Sequence, residues 1–342
     1  MISGYASLSG TREFISKFDL SYRQAPMFYT SPIAIGTHLG EMNEIDSALY
    51  RQGIEYGVRN GLNFIDTAIN YRGMRSERDV GYVLKSLVNR GIINRDEVII
   101  STKGGIIPGD VEAKLVPKEY LRQILLKGNV INESDLNIVD THRHVLTPTY
   151  YQFAIDKSKH HLNVKTIDIY YVHNPEISMM TLGSEKFYNQ LWTLFSLFEE
   201  QVQSGRIKYY GFATWFGLTN EPEEKGYISL EEVVNVAKNV AGNDNHFKFI
   251  QFPLNQQMDA SITKRNQKVN GEWLPVLRAA KNLGLLSTTS APFNLGKLID
   301  KTKDIKSILL EVTQHNEILS TMVGMKKIEH IKDNIQTFKR DF

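Results

Sequence analysis

The sequence predicts an α/β fold: a (β/α)8 TIM barrel with long loops over the C-terminal face of its sheet. Two observations carry that expectation. Short apolar runs rich in Ile, Val, Tyr and Phe alternate with longer stretches of helical period, and eight such pairs fit into 342 residues. Strands alternating with helices build a parallel sheet covered by those helices, and eight units favour closing the sheet over leaving it open. No low-complexity linker interrupts the pattern, so residues 1–342 are read as one domain.

The strand candidates are "IAIG" (33–36), "LNFI" (62–65), "EVIIST" (97–102), "IDIYYV" (167–172), "IKYYGFA" (207–213), "FKFIQF" (247–252), "LLSTTS" (285–290) and "STMVG" (320–324). Helical periodicity marks 44–59, 76–90, 149–162, 186–203, 229–240, 272–283, 302–314 and 326–338. Gly61, Gly205 and Gly284 stand where helices would stop. The stretch 104–147 is too long for an ordinary strand-to-helix loop and is read as an insertion with a short helix around 117–127. After a third strand it would lie over the C-terminal face, as a lid, a substrate wall or a plain surface insertion.

Bulk composition excludes several functions. With 40 basic and 38 acidic residues, net charge is +2, and no general field draws the chain to nucleic acid or a membrane. Zero cysteines remove disulfides, thiolate catalysis and Cys-ligated zinc, and cytoplasm is the expected compartment. No signal-like segment opens the chain, and no apolar run approaches the length of a membrane span. The histidines of "THRHVL" (His142, His144) and "KHHL" (His160, His161) lack the spacing of a zinc helix and are read as surface residues, with no metal site. Oligomeric state is not legible.

The chemistry is expected at strand ends. Asp66 follows the second strand, Lys103 the third and His173 the fourth. Neighbouring strands lie about 4.8 Å apart, so the three share one rim, over which Tyr71 can fold. Each residue alone reads as a cap, a turn or a structural histidine; their coincidence at successive strand ends does not. A phenol titrating at about 10 is a poor acid unless its anion is stabilised. Lys103 beside it favours the phenolate, Asp66 holds Lys103 charged, and His173 orients a carbonyl oxygen. Such a site protonates an oxygen as charge develops on it, but supplies no electrons.

The segments "GLNFIDTAINYRGMRSERDVG" (61–81), "VIISTKGG" (98–105), "IDIYYVHNPE" (167–176), "KYYGFATW" (208–215), "IQFPLN" (250–255), "TTSAPFNLGKL" (288–298) and "MVGMKKIEHIKDN" (322–334) together resemble the aldo-keto reductase superfamily. The resemblance implies a barrel that takes a nicotinamide dinucleotide without a Rossmann fold and passes hydride to a carbonyl carbon. Tyr71 is then the proton donor, tuned by Asp66 and Lys103, with His173 orienting the small-molecule carbonyl substrate. Gln251 matches the family's carboxamide-binding glutamine, and Asn174 lies close enough to meet the carboxamide or the substrate. Ala213-Thr214 stands where the family has Ser-Asn, leaving Thr214 to act alone. Ser290 falls near the family's aromatic stacking position.

In "GMKKIEHIKDN" the backbone from Gly324 and Met325 into a helix start offers N–H groups to a phosphate. Lys326, Lys327 and His330 would surround a 2′-phosphate, and Asp333 and Asn334 would reach adenine. NADPH is therefore the expected cofactor, with NADH the alternative. Trp215 and Phe216 are expected to line the substrate pocket. Two rival functions stay open: a Schiff-base aldolase or lyase using Lys103, and a nucleotide-binding regulatory subunit with little turnover.

Overall fold

The computed structural model describes residues 1–299 and 304–340. Eight parallel strands close into a barrel in sequence order: β1 (Ile33–Gly36), β2 (Phe64–Asp66), β3 (Ile99–Gly104), β4 (Ile167–His173), β5 (Ile207–Ala213), β6 (Phe247–Pro253), β7 (Leu286–Ser290) and β8 (Ile318–Gly324), with β8 pairing back onto β1. The helices between them are α1 (Glu44–Arg59), α2 (Arg75–Asn89), α3 (Pro148–Leu162), α4 (Glu176–Gln203), α5 (Leu230–Ala241), α6 (Val276–Asn282), α7 (Ile305–Thr313) and α8 (Ile328–Gln336). The fold is the (β/α)8 barrel that the alternation predicts.

Two apolar layers hold it. Inward-facing Ala34, Phe64, Ile99, Ile169, Phe249 and Leu319 fill the barrel's lower half. Outward neighbours on the same strands, among them Ile35, Ile65, Ile100, Val172 and Ile250, pack under the helices. Phe28, in the turn of the hairpin Arg23–Gln24/Tyr29–Thr30, stacks on Phe249 at 6.0 Å between ring centroids and plugs the barrel's bottom. The upper end is left to polar side chains.

Element boundaries differ where chemistry intervenes. β3 begins two residues late and runs on through Lys103, so the lysine is part of the strand. The helix expected over 272–283 starts at Val276, because Glu272–Leu274 pairs with Gln267–Val269 in a hairpin and Pro275 stands at the helix N-cap. α4 reaches back to Glu176 across a break at Gly183, whose φ of 73° ends the helical path. For the helix expected over 302–314, residues 302 and 303 lie outside the described residues. The insertion carries a helical stretch over 117–126 and a hairpin, Asn137–Val139 against His142–His144, turning at Asp140. Among the described residues no helix is long and apolar enough to cross a membrane.

Candidate active site

Strand alternation and register build the rim. Phe64 faces into the barrel and Ile65 out, so Asp66 faces in again; β3 repeats the pattern with Ile99, Ser101 and Lys103, and β4 with Ile169, Tyr171 and His173. Register pairs Asp66 with Ser101 and Lys103 with Tyr171. The three strands thus deliver an acid, a hydroxyl, an ammonium and an imidazole to one patch.

Lys103 is fully buried and donates to Asp66 Oδ2 at 2.6 Å and to the Thr67 carbonyl at 2.8 Å. Its third bond reaches Tyr71 Oη at 3.4 Å. Asp66 Oδ1 accepts from Ser101 Oγ at 2.6 Å and Gln251 Nε2 at 3.2 Å. Tyr71 comes from a tight loop whose Thr67 and Ile69 N–H groups continue the ladder onto β3. Its ring packs between His38, 4.6 Å away, and His173, 5.6 Å away. Behind the rim, Ser76 bonds the Thr37 carbonyl, while Glu77 accepts from Thr102 and pairs with His161. Those contacts explain the "RSERD" run: it ties α2 to β1, β3 and α3.

Burial works against the Lys103 ammonium, yet Asp66 and the Tyr71 oxygen beside it raise its pKa above that of an ordinary lysine. For Tyr71 the balance corrects the expectation of a lowered pKa. Burial raises it, and the pull of Lys103, opposed by Asp66, does not overcome that. Burial, reinforced by the Lys103 charge, drives the His173 pKa well below the usual histidine range, so its ring is neutral. Asn70 Oδ1 lies 3.2 Å from His173 Nδ1. An oxygen there places the ring proton on Nδ1. With the Asn70 amide turned over, its nitrogen donates to Nδ1 and Nε2 carries the proton.

A cavity of about 780 Å³ opens above this cluster. Asp66, Tyr71 and His173 line it, and so do Asn174, Thr214, Gln251, Ser290 and Gly324. Leu39, Ile106, Ile177, Met180, Phe293 and Met322 give it largely apolar walls, joined by Trp215 and Phe216 as expected. The remaining sequence-predicted residues lie outside that lining. Met325 is fully buried, Asn334 is buried on α8, and Lys327, His330 and Asp333 stand exposed. Lys326 Nζ is held 2.6 Å from Asp46 Oδ2 on α1.

Sequence reading missed four contributors. Ser101 and Asn70 are ordinary strand and loop residues by type, and only register and loop path aim them at the site. His38 enters from the loop after β1. Glu176, fully buried at the start of α4, accepts from the Trp215 and Phe216 N–H groups at 2.6 and 3.1 Å. The surface reading of the histidines also needs correction: His144 and His161 are buried, because each satisfies both packing and a hydrogen-bond partner.

Comparison with known proteins speaks for the fold and the family. The aldo/keto reductase family model matches residues 32–220. No curated protein matches the sequence. Among solved structures, the holo form of an aldo-keto reductase from Bacillus halodurans superposes with a TM-score of 0.60 at 16% identity, over 93% of this chain and 90% of that one. An aldo/keto reductase from Klebsiella pneumoniae in complex with NADP and acetate gives 0.59 at 16% identity, over 95% and 91% of the two chains. The glycerol dehydrogenase of Gluconobacter oxydans gives 0.60 at 16% identity, over 94% and 90%. At such identity the structures speak for the fold, and the family model, spanning more than half of the chain, speaks for descent. This chain belongs to the aldo/keto reductase family.

Proposed function

We propose that the chain reduces an aldehyde or ketone to an alcohol, or runs the reverse reaction, with NADPH as hydride carrier and Tyr71 as proton donor. The observation that carries the reading is the buried chain Asp66–Lys103–Tyr71 opening on the cavity floor. A nicotinamide suits the residues around it. Asn174, Thr214 and Ser290 line the cavity, their side chains without a hydrogen-bond partner among the described residues, and Gln251 anchors to Asp66 through its amide nitrogen, leaving its carbonyl free. When bound, that cofactor supplies the hydride.

The protein's own residues handle the proton. A phenol with a raised pKa stays protonated at rest, yet an alkoxide forming at the carbonyl is a stronger base and takes the proton. The Lys103 ammonium then faces the phenolate, and Asp66 keeps that ammonium in place. His173, being neutral, is no proton source; with its Nε2 protonated it holds the carbonyl oxygen toward Tyr71.

A Schiff-base lyase needs a neutral amine, and a lysine bonded to Asp66 and raised in pKa does not supply one. Titration of NADPH fluorescence, followed by absorbance at the cofactor's band over a panel of carbonyl compounds, tests the proposal. Cofactor binding without oxidation by any carbonyl would leave the regulatory reading standing instead.

A further inference from the structure

The insertion 104–147 meets the barrel at several places, through the Arg78–Asp110 pair and buried Leu121 and Leu125 among others, and its returning end carries a fully buried histidine. His144, fully buried, lies 2.8 Å through Nε2 from the main-chain oxygen of His173 and 2.7 Å through Nδ1 from Ser178 Oγ on α4. A carbonyl only accepts, so Nε2 carries the proton and Nδ1 receives the serine hydroxyl. Backbone bonds from Ile107 N to the Arg143 carbonyl and from Val145 N to the Gly105 carbonyl sew the same segment to the end of β3. Gly105 makes room for the ring: a Cβ there would lie 2.4 Å from His144 Nε2, and its φ of 129° suits glycine alone. From this anchor the hairpin carries Val139, Asp140 and His142 to the cavity wall.

We propose that His144 is a positioning residue that locks the hairpin to the main chain of the carbonyl-binding histidine, making the insertion a fixed specificity wall instead of a moving lid. The proposal rests on the carbonyl-reductase reading, since it assigns a substrate to that cavity. Burial pushes the His144 pKa down to about 3, so the lock stays neutral and closed over the working pH range. The wall is read by large carbonyl compounds, whose far end meets Val139 and His142. A small aldehyde seated on Tyr71 does not reach it.

The test uses the whole enzyme, its His144→Ala and His144→Gln variants, and Ser178→Ala should the alanine variant fail to fold. KM and kcat are measured for acetaldehyde and for a two-ring aryl ketone, with amide exchange followed at Ile107 and Val145. Losing one neutral buried hydrogen bond corresponds to about fivefold to tenfold. Ser178→Ala, which loses one of the two bonds, is expected to raise the ratio of ketone KM to aldehyde KM by about that factor, and His144→Ala, which loses both, by more, each speeding exchange at both amides. His144→Gln, which keeps an N–H donor, recovers most of the loss. Equal changes for both substrates, or unprotected amides in the parent enzyme, overturn the proposal. A parent that reduces neither these two compounds nor any carbonyl of the panel sinks the reductase reading instead, while the exchange data still judge the wall.

Discussion

The two ends of the cofactor reading behave differently. At the strand-end rim, four side chains from β2, β3, β4 and the loop after β2 meet within hydrogen-bond or ring-contact distance, and three of them are at most 8% exposed. At the start of α8, the residues expected around a 2′-phosphate spread over a solvent-facing helix turn, and Lys326 already has Asp46 for a partner. Inward-facing residues of neighbouring barrel strands have nowhere to go but toward each other. Exposed helix-start residues are spaced by the helix and gathered only by what binds them. The first set is organised by the fold; the second is not brought together by it.

That contrast gives an order of expected effects. Tyr71→Phe should leave NADPH affinity intact and lower kcat by about 10²-fold or more, the usual weight of a positioned proton donor; single-turnover hydride transfer checks it. Unchanged turnover would show that the rim is merely structural. Lys103→Met should strip Asp66 of its buried counter-charge and lower stability by about 3–5 kcal/mol, visible in denaturant unfolding. A loss confined to activity would mean that water screens the pair.

Glu176 sharpens the comparison through pH. Burial raises its pKa, against the pull of the Trp215 N–H. The folded state therefore holds this proton more tightly than the unfolded state. Stability falls as pH climbs from the ordinary carboxylate value to the raised one, and the parent should lose stability over that window. Glu176→Gln keeps an acceptor for the backbone and should flatten the slope, as urea midpoints across pH would record.

The smallest effect belongs to the cofactor end. Lys326→Ala with Lys327→Ala should weaken NADPH by about twofold to fivefold relative to NADH, the scale of exposed charge pairs. Nucleotide fluorescence titration measures it, and equal weakening of both cofactors removes the 2′-phosphate role. If Lys326 serves a phosphate it must leave Asp46, and its share should then grow when Asp46 is replaced by Asn.

Much of this molecule was legible in the amino-acid sequence. Eight short apolar runs separated by stretches of helical period specify barrel strands, because a parallel strand is covered on both faces, whatever the neighbours are. The rim followed from the same runs: Asp66, Lys103 and His173 are placed by strand position, and Tyr71 by a short loop. Less legible were Ser101 and Asn70, whose types are common and whose partners lie on other elements. The Tyr71 pKa direction was misjudged because a sequence shows the nearby cation but not the depth of burial.

Alternating apolar runs, the absence of cysteine and the strand-end triad were therefore decided by the chain itself, since backbone geometry and residue chemistry act locally. Only the tertiary structure decided that His144 ties the insertion to His173 and Ser178, that Glu176 gathers the loop after β5, and that Asp46 claims Lys326. Those contacts join residues far apart in the chain, and their energies exist only once burial removes the water that would otherwise compete for them.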